Sequence, residues 1–596
     1  MSKKKLDSTT VIVVIVCATL LLSWNYIFGP RGLNWLPAPE PALKSQVSKN
    51  SDETELDKET TMAKAVSKTK SLITKPQAVQ TNTDNNLKLP KTADWNNKFS
   101  EIKLSSPESL YEITVNPVEG DISSVILKDF KNSAKTKNVI LDQNIIPGAL
   151  SVSERNNQWK LLNVFKPIID KEKRSVTVKR EFSKADGTDF YLTQTWSLNK
   201  SYVINYTVSL SNPNSKSLKF QELNVWAGGI PPIQYLAGNL ARSESHRIDV
   251  LLASNNSIVS IKSTDKQLNN DMIQYEPIKW LAVSNKYFAC LLKPTDDNAV
   301  FSAGNINHRY MQKTLDENGK VAEYAVICAA GRIGSVEIQP NSKQTWDFEY
   351  YSGPKNVMLL KAFSPEATGI MHLAFAFLET ISLWLLYGLI FLKGIVGSYG
   401  WAIILLTVIV KLVFWPITHK SNVSMKRMQK IQPLVKELRE KYKDDKQKLN
   451  AKTMELYKKE KVNPLGGCLP ILVQIPVFFA LYWTLDGAIE LRQASFLWIN
   501  NLTMPDTVGH IFGLPINPLA IAMALTMVLQ QKLTPTATDP AQAKMMMLMP
   551  VVMLFFLYSM PSGLTLYWTV SQLISIAQLL MNKYSGKKEN LKIATT

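Results

Sequence analysis

The feature that most constrains the fold of this sequence is the clustering of its apolar residues after Pro365. Six apolar segments follow that residue, at 370–396, 400–418, 464–485, 511–532, 544–560 and 564–582. Several of them are shorter than the roughly 20 residues that usually cross a bilayer as a helix. Together with a further apolar run at 9–28, they predict a chain that crosses a membrane several times.

The N-terminal run predicts a membrane anchor that is retained, at residues 1–29. Three lysines at 3–5 precede it, and basic flanks stay in the cytoplasm, so we expect the N-terminus to be cytoplasmic. The run lacks a small-x-small cleavage site and ends in Trp24, Tyr26 and Phe28, which are typical of a membrane interface. A cleaved signal peptide is the alternative.

The stretch after the anchor changes in composition twice. Residues 30–90 are rich in polar residues without hydrophobic periodicity, and we predict a disordered linker. Residues 91–355 contain short alternating runs such as "FYLTQTWSL" and "YVINYTVSLSN", separated by Gly, Pro, Asn and Asp. This pattern predicts a large antiparallel β-sandwich outside the cytoplasm, folded independently of the membrane part.

Charge distribution sets the predicted number of membrane spans. The stretch 419–463 carries 14 Lys and Arg against 6 Asp and Glu, with apolar residues at helical spacing, and predicts a helical hairpin. A solvated linker is the alternative. If 370–396 crossed the membrane, this basic stretch would lie outside, against the positive-inside rule. We therefore assign 356–398 to an interfacial amphipathic helix region and 399–590 to a five-span core, with a basic cytoplasmic tail at 583–596.

The net charge of +19 suits either an anionic membrane surface or a nucleic acid. No nucleic-acid-binding motif accompanies the basic runs, so we expect no DNA partner, while contact with a ribosome stays open. The four cysteines show no metal-ligand spacing, and the five histidines are scattered without a nucleophile motif. We expect no metal, no cofactor, no catalytic residues and no enzyme activity. Pairing of Cys290 with Cys328 is left open.

Four motifs carry a resemblance to a known family. They are "EKVNPLGGCLPILVQIPVF" at 460–478, "ELRQASF" at 490–496, "DPAQAKMMMLMPVVM" at 539–553 and "MPSGLTLYW" at 560–568. Their order and spacing resemble the YidC/Oxa membrane protein insertase family, in its Gram-negative form with a large periplasmic domain. The resemblance implies a multi-domain inner-membrane protein with an N-terminal anchor helix, an α-helical five-span core and an all-β supersandwich periplasmic domain. Both termini would be cytoplasmic.

The same resemblance implies an activity. Members of the family insert and fold membrane proteins without ATP, through a hydrophilic groove that is closed to the outside, alone or beside the Sec translocon. The implied partners are nascent membrane proteins and the Sec translocon, within the lipid bilayer, and a ribosome contact stays possible. A secondary transporter or channel is the alternative, although the core segments show no internal repeat of the kind common in transporters.

The candidate groove residue is Lys411, inside the apolar stretch "TVIVKLVFWPIT" at 407–418. A lysine at the centre of a membrane helix costs about 2.5–3.5 kcal/mol on insertion scales. Family members usually carry arginine here, and lysine keeps the charge but loses the planar fork of donors. Snorkelling of the amine to the cytoplasmic headgroups is the alternative.

The resemblance extends the groove to other polar residues of the predicted spans. Thr407 lies one helical turn before Lys411, and Trp568 and Ser571 lie in the last span. Gln530 and Gln531, late in an earlier span, are weaker candidates. Hydrogen bonding between helices, or an interfacial position for Trp568, is the alternative for these residues.

Overall fold

The computed structural model describes residues 99–594 with internal gaps. The residues left out within that range are 106–108, 133–134, 142–147, 155–158, 200, 231–246, 263–276, 297–300, 304–307, 316–320, 375–376, 444, 461–468 and 534–539. The predicted anchor and linker lie outside the described residues, as do the first residues of the predicted β-domain and the last two of the tail. The chain from Phe99 onward forms one compact unit.

The first part of the described chain consists of strands β1 to β19. Their bounds are Ile102–Ser105, Tyr111–Asn116, Asp121–Lys131, Asn138–Leu141, Val152–Glu154, Lys160–Val164, Ile168–Asp170, Ser175–Ser183, Asp189–Leu198, Val203–Ser211, Leu218–Gly229, Arg247–Leu252, Ile258–Lys262, Ile278–Ser284, Phe288–Pro294, Ser302–Ala303, His308–Leu315, Val321–Ile338 and Lys343–Pro354. We call this part the β-domain.

Three antiparallel sheets make up the β-domain. The largest has the order β13-β12-β14-β15-β19-β10-β9-β8-β6, with β7 added beside β8. A second sheet has the order β16-β18-β11-β5, with β17 beside β18, and a third runs β1-β2-β3-β4. Cys290 and Cys328 lie on β15 and β18, in different sheets, and both are buried as thiols.

The sandwich core follows from strict alternation along the strands. In β9 every second residue is buried, from Phe190 to Leu198, because successive side chains of a strand point to opposite faces. Trp196 and Trp280 are completely buried on the inner faces of the large sheet. Each fully buried side chain of this kind contributes about 1.5–3 kcal/mol of transfer free energy, so these faces stabilise the domain.

The second part of the described chain is helical. Helices α1 to α10 have the bounds Val357–Phe363, Phe377–Val396, Tyr399–Val413, Trp415–Lys430, Gln432–Lys441, Lys446–Lys459, Leu469–Gly487, Pro518–Leu533, Pro540–Leu557 and Ser562–Ala594. A 3₁₀ helix at Pro365–Met371 links α1 to α2, and another at Ile489–Leu491 follows α7. Strands β20, Gly509–Ile511, and β21, Leu514–Ile516, form a hairpin between α7 and α8.

Two stretches among the described residues are long and apolar enough to cross a membrane, Leu378–Val396 and Ser562–Met581. Helix α3 and the first part of α4 meet at a bend of 60° and would add a third as one broken span. Helix α8 and Met547–Leu557 of α9 are apolar but shorter. The stretch Leu378–Val396 is long enough to cross a membrane, although the charge distribution led us to assign 356–398 to the interface. That assignment and the five-span count therefore stay predictions.

The basic stretch 419–463 is helical where it is described. Helices α4, α5 and α6 cover most of it, and α5 packs against α6. Ile431 and Val435 are buried, whereas most charged residues around them are exposed. Asp445 caps α6 by accepting a hydrogen bond from the Lys448 amide at 3.0 Å.

The β-domain is docked onto the C-terminal end of α7 and the loop that follows it. Lys286 forms an ion pair with Asp486, with 2.9 Å between Nζ and Oδ1. Arg492 donates to the Lys131 carbonyl at 2.8 Å, and Gln493 donates to the Asn132 carbonyl at 2.7 Å. We call these contacts the outer clamp. The sequence predicted a β-domain that folds independently, and these contacts show that it is nevertheless fastened to the helical part.

Candidate substrate groove

Helices α3, α7 and α10 carry polar residues at a similar distance along their axes from the outer clamp. We call this depth the polar level. All three have one end beside the outer clamp, where Gly400, Asp486 and the start of α10 lie. At 1.5 Å per helical residue, Lys411 is about 17 Å from Gly400 and Gln474 is about 18 Å from Asp486. Ser575 is about 20 Å from the start of α10. This level is beyond the middle of a hydrocarbon layer about 30 Å thick.

A continuous hydrogen-bond network joins these helices. Lys411 Nζ donates to Ser575 Oγ at 3.0 Å and to Gln474 Oε1 at 3.5 Å. Gln474 Nε2 donates to Tyr567 Oη at 3.0 Å and to Ser571 Oγ at 3.1 Å. Ser575 Oγ donates to the Ser571 carbonyl at 2.9 Å. We call these five residues the Lys411 cluster.

A cavity adjoins the cluster. Its lining residues are Val410, Lys411, Phe414, Ile417, Thr418, Gln474 and Val477. The lining runs from Lys411 along the bend between α3 and α4, away from the outer clamp. The cavity therefore extends the polar level toward the end of the helices opposite the β-domain.

Tightly packed apolar side chains lie between the cluster and the outer clamp. Ala402, Ile403, Leu481, Leu485 and Leu564 are all at most 1% exposed. Protein interiors packed in this way leave few voids that could hold water. Packed side chains thus close the polar level on the side of the β-domain, while the cavity beside Lys411 extends in the other direction.

The hydrogen-bond partners of the Lys411 amine are neutral groups. Its amine is half-buried, and within the described part of the chain no carboxylate forms an ion pair with it. The serine and glutamine oxygens hold the ammonium in place but do not neutralise it. Among the lining residues of the cavity, Lys411 is the one cation and there is no carboxylate, an arrangement that favours an acidic group.

The structure distributes the predicted groove residues over different environments. Ser571 belongs to the Lys411 cluster. Thr407 is completely buried, and its hydroxyl donates to the Ile403 carbonyl at 2.6 Å, so a role in contact with substrate stays a prediction. Gln530 and Gln531 are half-buried at the end of α8.

Trp568 faces α7. Its ring packs edge-on against Phe478, with 5.0 Å between centroids. The indole Nε1 and the neighbouring Gln572 Oε1 are buried without a hydrogen-bond partner among the described residues. Buried polar atoms of this kind cost about 1–3 kcal/mol unless they are satisfied. A role of Trp568 in contact with substrate stays a prediction.

Sequence reasoning missed Gln474, Tyr567 and Ser575. Gln474 is a lone amide in the apolar run "LPILVQIPVF", and a polar side chain at that depth needs a partner inside the protein. That signal was available. Ser575 follows Ser571 by one helical turn, which places both hydroxyls on one face.

The β-domain contains a second buried polar cluster. Arg180 donates to the carbonyls of Val118 and Glu119 at 3.0 and 2.6 Å, and it also bonds to Gln194. Burial lowers the pKa of Arg180 to about 10 and raises the pKa of Asp121 to about 7. The side chains of Arg180, Asp121 and Gln194 are at most 5% exposed, so the cluster supports the sandwich and is closed to a ligand. Among the described residues, no group of metal-ligand side chains could hold an ion.

Two family models match this chain. One is described as the YidC periplasmic domain and covers residues 107–377, and the other is the 60Kd inner membrane protein model, at residues 391–589. A membrane protein insertase YidC from Pelobacter propionicus is 36% identical over 480 residues, which cover 78% of this chain and 83% of that protein. The YidC of Nitratidesulfovibrio vulgaris is 42% identical over 328 residues, 54% of this chain and 56% of the relative.

Solved structures are also similar. A crystal structure of an active YidC insertase with its first transmembrane domain resolved is 19% identical, with a TM-score of 0.33, over 80% of this chain and 92% of that one. A galactose mutarotase related enzyme from Lactobacillus acidophilus is 11% identical, with a TM-score of 0.28, over 42% of this chain and 97% of that one. The family models agree with the predicted division into a β-rich domain followed by a helical membrane part.

Proposed function

Because this chain belongs to the YidC family of membrane protein insertases, we propose that it inserts membrane proteins by receiving their hydrophilic segments in the cavity beside Lys411. It is an inner-membrane protein with a periplasmic domain, and the outer clamp marks its periplasmic side. The cavity then opens toward the cytoplasm, from which a nascent segment arrives. We further propose that the same surface acts as a folding chaperone and that insertion needs no ATP.

The observation that carries the proposal is the position of Lys411. A cation about 17 Å along its helix from the periplasmic side is costly to place. Ser575 and Gln474 hold it without neutralising it. A residue that served only to join helices would be cheaper as a neutral hydrogen-bonding side chain. The free-energy cost of placing Lys411 in the membrane is explained if its charge binds an acidic group of an incoming substrate.

The proposed mechanism lowers the barrier to a hydrophilic tail in two ways. At an effective dielectric constant of about 20, unit charges 4 Å apart gain roughly 4 kcal/mol before desolvation is subtracted. That gain retains an acidic tail briefly and still allows release. In addition, α8 has 16 residues. A helix of that length measures about 24 Å, less than the hydrocarbon thickness of about 30 Å, and it favours a locally thinned bilayer.

The same proposal assigns further residues that would contact a substrate segment or the water around it. Trp568 Nε1 and Gln572 Oε1, buried and without a partner among the described residues, would bond to water or to the backbone of a passing segment. Thr407, Gln530 and Gln531 are kept as proposed groove residues because they lie on helices of the core.

The basic helices α4 to α6 would lie in the cytoplasm with both termini. Their excess positive charge fits anionic lipid or ribosomal RNA, and we propose the ribosome and the Sec translocon as partners. Copurification of each partner with the full chain and with a chain lacking 419–463 tests this. Equal recovery of ribosomes with both chains would remove the proposed role of the hairpin.

The central experiment varies the charge of Lys411 and of the substrate together. The full chain is reconstituted in vesicles and given single-span substrates whose translocated tails differ only in net charge. Lys411→Arg should keep the rate, since it keeps the cation. Lys411→Ala should slow acidic tails by about tenfold, a loss of about 1.4 kcal/mol, and affect neutral tails least. Lys411→Glu should slow acidic tails further.

A matched control separates this effect from a change of net charge. Lys393 lies exposed in the last turn of α2, so Lys393→Ala removes one positive charge without touching the cluster. It should leave every rate unchanged. If Lys411→Glu inserted all tails at the wild-type rate, Lys411 would be a snorkelling residue and the groove proposal would fail.

A further inference from the structure

The hairpin β20–β21 has an unusually apolar tip. Its strands pair Gly509 with Ile516 and Ile511 with Leu514. Phe512 and Gly513 form the turn, both with positive φ angles, of 50° and 78°. A non-glycine residue in this conformation is uncommon, and the phenyl ring that it carries here is fully exposed.

The side chains at the tip are left in the open. Phe512 is 101% exposed, Leu514 71%, Ile511 57% and Val508 56%. Single exposed apolar residues are ordinary, but a contiguous group at one tip marks an interaction surface. No Asp, Glu, Lys or Arg occurs between Asp506 and Lys532, so the surface carries no formal charge at neutral pH.

The hairpin is held firmly at the ends of two helices. Asn517, the single residue between β21 and α8, donates to the Tyr558 carbonyl after α9 at 2.6 Å. Thr507 Oγ1 donates to Asn517 Oδ1 at 2.6 Å, and Tyr558 Oη donates to the Pro515 carbonyl. These bonds fix the tip beside the periplasmic ends of α8 and α9.

The apolar tip continues the exposed apolar side of α8. Ile521, Leu525 and Leu529 are 41%, 65% and 49% exposed at intervals of four residues, which puts them on one face. An exposed apolar stripe on a short membrane helix faces acyl chains. That stripe begins four residues after Asn517, so the hairpin lies where the periplasmic leaflet ends.

We propose that the β20–β21 tip inserts into the periplasmic leaflet and binds the boundary between lipid headgroups and acyl chains. The absence of charge suits this boundary, and the phenyl ring and the aliphatic side chains supply apolar area. A stable protein interface uses about 20–30 residues of each partner, whereas the hairpin from Gly509 to Ile516 has eight. The inserted tip anchors the outer end of α8 in the leaflet.

A depth measurement on the full chain tests the proposal. Cysteine is introduced for Phe512 in a background without the four native cysteines, spin-labelled, and reconstituted in phosphatidylcholine vesicles. Ile168→Cys on β7, where Ile168 is 69% exposed, is the matched control in the β-domain. We expect the label at 512 to collide severalfold more often with oxygen, which partitions into lipid, than with a water-soluble nickel chelate. At 168 the ratio should be reversed.

Leu514→Cys gives a second reading at the same tip and covers a failure of the first variant to fold. Nickel accessibility at 512 and 514 equal to that at 168 would place the tip in water and overturn the proposal. Protection from both reagents would mean that a protein surface, such as a second copy of the chain, covers the tip, and would overturn it equally.

Discussion

Breaking the ion pair between Lys286 and Asp486 should loosen the β-domain from the membrane part. The pair spans 200 residues of sequence and has 2.9 Å between its charged atoms. The adjacent Tyr287 hydroxyl also donates to the Asp486 carbonyl, at 3.3 Å. Neutralising either partner as Lys286→Met or Asp486→Asn leaves the other charge with less compensation.

The size of the effect follows from distance and burial. At an effective dielectric constant of about 20, the attraction at this distance is roughly 6 kcal/mol before desolvation and side-chain ordering are subtracted. The side chains are only 22% and 23% exposed, between a surface pair and a buried one. Surface pairs contribute about 0–1 kcal/mol, while breaking a buried pair costs about 3–5 kcal/mol. We therefore expect a coupling free energy of about 1.5 kcal/mol.

The assay is amide hydrogen exchange of the clamp in the full chain, because it reports local opening. Each single variant should speed exchange around Tyr287 by about tenfold, and the double variant should be little worse than either. The charge-swapped chain, Lys286→Glu with Asp486→Lys, should recover part of the protection.

The pair Lys452–Glu455 on α6 is the control, since it has a similar distance of 2.7 Å but is 49% and 68% exposed. Its coupling should be much weaker than that of Lys286 with Asp486, because water solvates both charges. Additive effects of the Lys286 and Asp486 variants, with no coupling above that control, would refute the conclusion that this ion pair fastens the β-domain.

Two further changes test the junction between the β-domain and the helices. Glu490 Oε1 accepts from Asn356 Nδ2 at 2.9 Å and from the Val357 amide at 3.3 Å, so Glu490→Ala should cost about 1–3 kcal/mol, read as a lower thermal midpoint, whereas Glu490→Gln keeps an acceptor and should cost less. Equal midpoints for the alanine variant and wild type would contradict this. Burial lowers the pKa of His372 below 6.5, against the opposing attraction of the Asp249 carboxylate 2.9 Å away. The folded chain thus favours neutral His372, and its contribution to stability, full above pH 6.5, is lost as the pH falls through the lowered pKa. Thermal midpoints between pH 8 and 5 should fall less in His372→Gln, and an unchanged slope would exclude this residue as the cause.

Much of the fold could be predicted from sequence because strand alternation and apolar segments are local properties. The residues of β9 alternate between buried and exposed positions whatever the sheet order, since successive side chains point to opposite faces. The position of Lys411 within the membrane part could be predicted for a similar reason, because a lysine inside an apolar segment is evident from the local sequence alone.

The partners of that cation depended on tertiary structure. Gln474 and Ser575 lie 63 and 164 residues away from Lys411, and only the packing of α3, α7 and α10 brings their oxygens to its amine. Thr407 shows the converse, since its position one turn from Lys411 suggested the groove, while helix packing buries it completely.

The outer clamp and the β20–β21 tip show the same difference between what the local sequence determines and what the tertiary structure decides. The sequence determined that "ELRQ" carries charge and that "HIFGLP" is apolar, because each is a local composition. Only the folded chain brought Arg492 to the Lys131 carbonyl and left Phe512 fully exposed. Contacts between distant segments depend on which surfaces are already occupied by others, and that is decided by the packing of the whole chain.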